Sequence, residues 1–231
     1  ISWARGYKSG GFSDRLRPNF PNNAVLPYDE ERNDSFELGV RTEWLNKRLR
    51  LNATYFHSKY DNVQISSTTA VNGVPTQTIS NAGAAKLDGI EAEFIFVAAK
   101  GLKLNGSAGY MDARYTNILP TVTAVSLTTA LPRTPKWSYS VGAEYGLSLA
   151  NEGMLIARAD WSWVDDFILT ADATSTQVAQ SAYGILNARL TYQAPGEKWT
   201  VSLFGTNLTD EIYATSGLDQ RTNPFGISQI E

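Results

Sequence analysis

A single histidine, His57, and the absence of cysteine narrow the chemistry open to this chain. Without a second imidazole or any thiolate, a multi-histidine metal centre, a thiolate metal site, a cysteine nucleophile and a disulfide framework are all excluded. No His-Glu-x-x-His, Gly-x-Ser-x-Gly or phosphate-cradling glycine loop occurs. Asp61 follows His57 four positions on, a pairing that a hydrolase could use. Alternation from Tyr55 nevertheless puts His57 on the apolar side of its strand, as a boundary residue. The chain therefore reads as a non-enzyme with no cofactor. Its other chemistry-bearing residues are charges at alternating positions: Glu37, Arg41 and Glu43, Glu91 and Glu93, Glu144, Arg158 and Asp160, and Arg189. Even spacing places each set on one face of a strand. Polar stretches hold a second group, with Arg15, Arg17 and Tyr28 in the first, Phe167 in a later one, and Arg221 and Phe225 in the last. Arginine forks can pair with carboxylate or catecholate oxygens, so these are the expected contacts for a small solute.

The elements that must position these groups are β-strands. Phe36, Leu38, Val40, Thr42 and Trp44 alternate with Glu37, Gly39, Arg41 and Glu43. After a turn at Asn46-Lys47-Arg48, Leu49, Leu51, Ala53 and Tyr55 alternate with Arg50, Asn52 and Thr54. The same period of two recurs through residues 1–12, 90–96, 102–110, 137–147, 155–163, 186–192 and 199–203, giving nine strands and no amphipathic helix. Short turns near residues 46–48, 98–101, 151–153 and 194–197 alternate with long polar loops over 13–33, 66–85, 115–134 and 167–181. All the short turns thus fall at one end of the sheet.

Two architectures alternate this cleanly, a soluble sandwich or propeller and a transmembrane barrel. Strands of 9–11 residues, short turns at one end and apolar faces almost free of charge over the strand centres favour the barrel. With 42% hydrophobic residues, no apolar run approaches the roughly 20 residues of a membrane helix, as expected when lipid-facing residues occupy only every second position. Many of the six Trp and eleven Tyr lie near strand ends, where interfacial rings belong. A net charge of −3 offers no basic face to nucleic acid.

Particular phrases carry a family resemblance. Arg5-Gly6-Tyr7-Lys8-Ser9-Gly10-Gly11-Phe12 resembles an R-G-x-K-x-G-G-F/Y stretch in the barrel of TonB-dependent outer-membrane receptors. Glu37-Leu38-Gly39-Val40-Arg41, Asn81-Ala82-Gly83 with Gly89-Ile90-Glu91-Ala92-Glu93, Leu131-Pro132-Arg133-Thr134-Pro135 and Asn207-Leu208-Thr209-Asp210-Glu211-Ile212-Tyr213 are similar to further phrases of that family, in the family's order. The resemblance implies an all-β antiparallel transmembrane barrel, with residues 1–231 supplying about nine to ten strands from the C-terminal portion of a wall of about 22. It also implies that the plug domain, the early strands and the final strand lie outside these residues. The function implied is outer-membrane uptake of a scarce solute, such as a ferric siderophore, in a Gram-negative bacterium and energised through TonB. The partners implied are the lipid bilayer, the protein's own plug, TonB and an iron chelate or other small solute. The nine alternating charged residues would then line the lumen and face the plug. A passive porin-like channel is the main alternative, and an outer-membrane protease built on His57 and Asp61 a more remote one.

Overall fold

The computed structural model describes residues 1–13, 26–71, 74–170, 178–218 and 229–230. Nine strands form one antiparallel sheet in chain order: β1 Ser2–Lys8, β2 Glu31–Trp44, β3 Leu49–Asp61, β4 Gly83–Ala99, β5 Leu102–Ile118, β6 Trp137–Ser148, β7 Met154–Val164, β8 Tyr183–Gln193 and β9 Thr200–Gly205. Each pairs only with its neighbours in sequence, so the sheet is an uninterrupted meander. Among the described residues the one helical element is a short 3-10 turn at Pro195–Glu197, and no helix is long and apolar enough to cross a membrane.

The connections differ sharply between the two ends. At one end β2–β3, β4–β5, β6–β7 and β8–β9 are joined by tight turns whose residues take positive φ where the chain reverses. Leu45, Asn46 and Lys47 do so in the first, and Gly101 (φ 79°) does so in the second. A Cβ on Gly101 would meet Gly146 O at 2.4 Å, so this turn also needs glycine for clearance. At the opposite end the connections are long and structured. Residues 66–85, expected as a loop, instead form a hairpin of Gln64–Val71 with Val74–Asn81, followed at once by β4. The threonines that made this stretch look loop-like are good strand formers once a partner is available. Residues 1–12 also break, since β1 stops at Lys8 and Gly11–Ser13 pairs separately with Leu26–Tyr28. Phe167–Ile168 pairs with Ala179–Gln180 inside the stretch expected as a plain loop.

The two faces of the sheet follow from register. Val40, Ala53, Ala92, Ala108, Tyr139 and Trp163 lie on one, and Arg41, Asn52, Glu93, Ser107, Ser140 and Ser162 on the other. No large side chain in the described residues is fully buried, and Leu38, Val40, Ile90, Val141 and Leu203 stay exposed on the apolar face. An apolar face this extensive, uncovered across nine strands, is what a sheet solvated by lipid presents. On β2 the apolar positions run from Trp44 to Phe36, eight residue steps or roughly 26 Å along the strand. Beyond that span the expected segregation of charge fails. Asp34, Arg32, His57, Lys59, Asp88, Lys86, Asp112 and Arg114 continue the apolar face toward the long connections. The strands are longer than alternation of apolar residues suggested, and their outer ends leave the apolar zone. There an outward charge costs about 0–1 kcal/mol, against roughly 2–4 kcal/mol for Arg or Lys at a bilayer midplane.

What buried core exists sits among the long connections. Ile65, Ala82, Ala85, Tyr115, Ala124 and Val125 pack together beside Tyr60, Val63, Ile118 and Leu131. Ile168, Leu169 and Val178 are buried further along the same end.

Candidate functional site

The nine charges picked out by alternation, Glu37, Arg41, Glu43, Glu91, Glu93, Glu144, Arg158, Asp160 and Arg189, all fall on the polar face. That face is concave. A cavity of about 710 Å³ runs across β1–β6, lined among others by Glu37, Arg41, Asn52, Glu91 and Glu93. Its floor is made shallow by small residues, Gly39, Ser107, Gly109 and Ser138, so the longer charged groups stand clear of the backbone.

Register decides which charges pair. Across β6 and β7, Glu144 stands opposite Arg158 and Gly142 opposite Asp160. Arg158 donates from Nε to Asp160 Oδ2 at 2.7 Å, from Nη1 to Glu144 Oε2 at 3.4 Å and from Nη2 to Asn105 Oδ1 at 3.2 Å. One guanidinium thereby ties three strands. Glycine at 142 makes room for this, since a Cβ there would meet Asp160 Oδ1 at 2.5 Å and Asn105 Oδ1 at 2.8 Å. Arg189 sits across from Arg158 and lies over the Phe204 ring at 5.2 Å. Arg50 Nη2 donates to Glu43 Oε1 at 3.0 Å, Ser2 Oγ to Glu37 Oε2 at 3.2 Å, and Asn52 Nδ2 to Glu93 Oε1 at 2.7 Å. Arg41 and Glu91 have no hydrogen-bond or ion-pair partner among the described residues, and Asn52 Oδ1 is buried without one. The concavity is therefore polar, charged and incompletely satisfied toward its open side.

At the end of the long connections, Tyr28 and Phe167 are both half-buried. The Tyr28 ring lies across Gly11, whose Cβ would meet its hydroxyl at 2.7 Å, and Phe167 pairs with Gln180. These two stand on different connections and are not brought together. Arg15, Arg17, Arg221 and Phe225 lie outside the described residues. His57 is on the apolar face and meets Asp88, Nδ1 to Oδ1 at 2.5 Å, rather than Asp61. Its expected neighbour Asp61 stands opposite Arg32 across the sheet.

Alternation gave no hint of two amide side chains that organise this end. Gln64 Nε2 donates to Ser9 O and Asp29 O at 3.0 Å each, while its backbone N–H donates to Glu31 Oε2 at 2.7 Å. Asn81 accepts the Asp29 N–H at 2.7 Å and donates to Asp29 O at 3.0 Å and Asn62 O at 2.8 Å. Together they clasp the first long connection to the foot of the 64–81 hairpin. Their only trace in the sequence was the Asn81-Ala82-Gly83 phrase. Gly83 follows at φ 135°, where a Cβ would meet Asn117 O at 2.3 Å. The phrase at 207–211 has a similar local role, because Asn207 bonds both backbone groups of Glu211, at 2.9 and 3.0 Å. Beneath the clasp, burial pushes the Tyr115 phenol up to about 12, with Glu31 adding to the effect, and raises that of Tyr60 as well.

Comparison with known proteins places this sheet. Residues 1–208 match the family described as "TonB dependent receptor-like, beta-barrel". The pesticin receptor of Yersinia pestis is 28% identical over 215 residues, covering 93% of this chain and 29% of that protein. The pesticin receptor of Yersinia enterocolitica matches over the same extent. Among solved structures, the ferric yersiniabactin uptake receptor of Yersinia pestis superposes with a TM-score of 0.74 at 23% identity, over 99% of this chain and 32% of that one. The ferric preacinetobactin receptor of Acinetobacter baumannii gives 0.66 at 19% identity, over 99% and 31%. The chain thus spans under a third of the length of the proteins it matches.

Proposed function

Because the chain belongs to the TonB-dependent receptor β-barrel family, we propose that it forms part of the wall of an outer-membrane receptor that takes up a scarce solute, a ferric siderophore, with energy delivered through TonB. The single observation that carries this reading is the pairing of faces: an uncovered apolar face on one side, and on the other a concave, charged face with unsatisfied groups. A wall around a water-filled pore needs a polar lining. A wall around a folded plug needs groups left free to meet it, which Arg41 and Glu91 provide. The plug, the remaining strands and the TonB contact would lie in parts of the protein beyond this chain. Two receptors that share this fold, the ferric yersiniabactin uptake receptor and the ferric preacinetobactin receptor, support an iron chelate as the solute class.

On this reading the wall does no covalent chemistry. Its lumen charges hold the plug in register, and the folded outer connections present the first surface that a solute meets. Tyr28, Phe167, Arg15, Arg17, Arg221 and Phe225 are the contacts we propose there. The test is accumulation of labelled ferric siderophores by cells with and without the gene, before and after an uncoupler dissipates the inner-membrane gradient. Uptake that needs both gene and gradient is the expected result. Gene-dependent uptake that survives the uncoupler would replace active transport with the passive channel, and no gene dependence for any iron chelate would remove iron from the proposal.

A further inference from the structure

Along the polar face, the lining of β2–β5 changes sign with depth. In the middle of the sheet the cavity sets Glu37, Glu91 and Glu93 against Arg41. At the short-turn end the balance reverses. Lys47 and Arg48 stand in the β2–β3 turn and Lys100 in the β4–β5 turn, while Arg50 and Lys103 face inward just inside them. The carboxylates at this end are Glu43, Glu144 and, in the β6–β7 turn, Glu152. Set against Lys47, Arg48, Arg50, Lys100 and Lys103, they leave two positive charges uncompensated. Glu43 is taken by Arg50, and Glu144 meets Arg158 rather than Lys103. Lys47, Lys100 and Lys103 have no salt-bridge partner among the described residues.

Two aliphatic side chains lie among these cations. On β4, Ile95 stands between Arg50 and Asn105, and Val97 stands beside Lys103. Both therefore point to the polar side, where they are 40% and 43% exposed. Lipid cannot cover them there, because the apolar band occupies the opposite face. Left in water, each forgoes the free energy that burial would recover. The frame around them is fixed. Arg48 donates from Nε to Val97 O at 2.9 Å and from Nη2 to Ala98 O at 2.5 Å, while its own carbonyl accepts the Val97 N–H at 2.8 Å. This staple joins the two turns and sets the spacing of Lys47 and Lys100. Because it is made on carbonyls, it leaves the Arg48 charge unneutralised.

We infer that this end of the polar face seats an acidic segment of the receptor's own plug region, with aliphatic side chains on Ile95 and Val97 and carboxylates on Lys47, Lys100 and Lys103. The sign of the segment follows from the surplus of cations. Its aliphatic content follows from the two exposed side chains that it must cover. Continuity argues for the plug, since Ile95 directly follows Glu93 along the inward side of β4, in the lining that the plug fills in the function proposed above. The arrangement also fits an extended chain. Ile95 and Val97 are roughly 7 Å apart along β4, the repeat at which alternate side chains of an extended segment share one face. Lys100 lies beyond them at the turn, so the segment runs along β4 toward the short-turn end. Glu37, Glu91 and Glu93 would repel the same segment, and the lining thereby fixes the depth at which it sits.

This inference rests on the plug proposed above and is indifferent to the solute carried. The test uses the full-length gene product in lipid vesicles, with the photo-crosslinker p-benzoylphenylalanine replacing Val97 in one sample and Ser107, in the cavity floor, in another. Peptide mass spectrometry then locates the adducts. The probe at Val97 should give an adduct within the same polypeptide, on a stretch where Asp or Glu adjoins aliphatic residues. Lys100→Glu with Lys103→Glu, which breaks no ion pair, should lower its yield about tenfold, the scale of two reversed exposed charges. Lys100→Arg with Lys103→Arg should preserve it. The adduct from Ser107 should survive both double variants, which shows that wall and plug remain assembled. An adduct on a neutral or basic stretch, a yield indifferent to charge reversal, or adducts only to lipid or to a second protein would each overturn the seat. An adduct within the polypeptide from Ser107 but none from Val97 fails the seat alone. Absence of both fails the plug reading, and the seat with it.

Discussion

The outer ends of β1–β5 and of β6–β7 solve one problem with different side chains. Both sectors end an apolar band at the same rim. In the first the band stops abruptly, Tyr55 giving way to His57 and Lys59, and Tyr110 to Asp112 and Arg114. In the second it ends in rings. Tyr139 stacks on Trp163 at 5.0 Å and meets Trp161 edge-on at 5.4 Å, while Tyr110 and Trp137, 4.7 Å apart, mark the seam between the sectors. Rings tolerate a blurred boundary because each is apolar along its body and polar at its tip. Fixed charges tolerate none, so the first sector sets the depth of the wall more sharply than the second.

The strongest test of this contrast moves a charge by a few residues. Val40→Arg, in the middle of the band on β2, should destabilise folding into lipid vesicles by about 2–4 kcal/mol, whereas Phe36→Arg at the edge of the charged sector should cost about 0–1 kcal/mol, both read by urea titration. Equal costs would mean that the band does not end where β2 changes character. Asn81→Leu should come next, since it removes the acceptor of the Asp29 N–H while Gln64 still holds Asp29 O, at about 0.5–1.5 kcal/mol. Hydrogen exchange should show that loss as local opening near Asp29, with the rest of β2 and β3 still protected. Trp163→Ala should remove about 0.5–1.5 kcal/mol beyond lost burial by unstacking Tyr139, and Tyr55→Ala, whose ring has no stacked neighbour among the described residues, should lack that increment. Arg50→Gln should have the least effect, about 0–1 kcal/mol, because its pair with Glu43 is exposed.

Alkali gives a further handle on the core above the charged sector. The Tyr115 phenol ionises near 10.0 in an unfolded chain and at about 12 when folded, so burying it neutral favours the native state below pH 10. That contribution is lost as pH climbs from about 10 to about 12. Titration of phenolate absorbance should show a latest component at about 12, and Tyr115→Phe should remove it. If that variant keeps the late component, the core does not shield this ring.

Much of the wall was legible because parity is a one-letter property. Whether Glu91 or Ile90 faces inward depends only on counting in twos, and all nine alternating charges reach one face. Partnership was not legible in the same way. Arg158 meets Asn105 fifty-three positions away in sequence, through a register that no local pattern encodes. Neither was the 64–81 hairpin, because Ser, Thr, Asn, Gly and Pro read as loop until Ile65 and Ala82 are seen to bury against Tyr115. The outward charges at the rim were misjudged for a related reason. Apolar alternation stops at Ile90 on β4, yet backbone pairing runs on to Gly83, and only the hydrogen-bond ladder shows where a strand ends.

The amide clasp bears on how such a protein can change over generations. Gln64 and Asn81 secure the first long connection at Ser9 and Asp29, so the stretch between Ser13 and Leu26 begins and ends on fixed posts. Lengthening a tethered segment is cheap, each doubling costing about 0.6 kcal/mol in closure entropy. Loss of the Gln64 side chain would release Ser9 and weaken the hold on Asp29, whereas loss of Asn81 would act at Asp29 alone. Revision between the posts is thus cheap in closure entropy, and the two amides keep it from reaching the strands on either side.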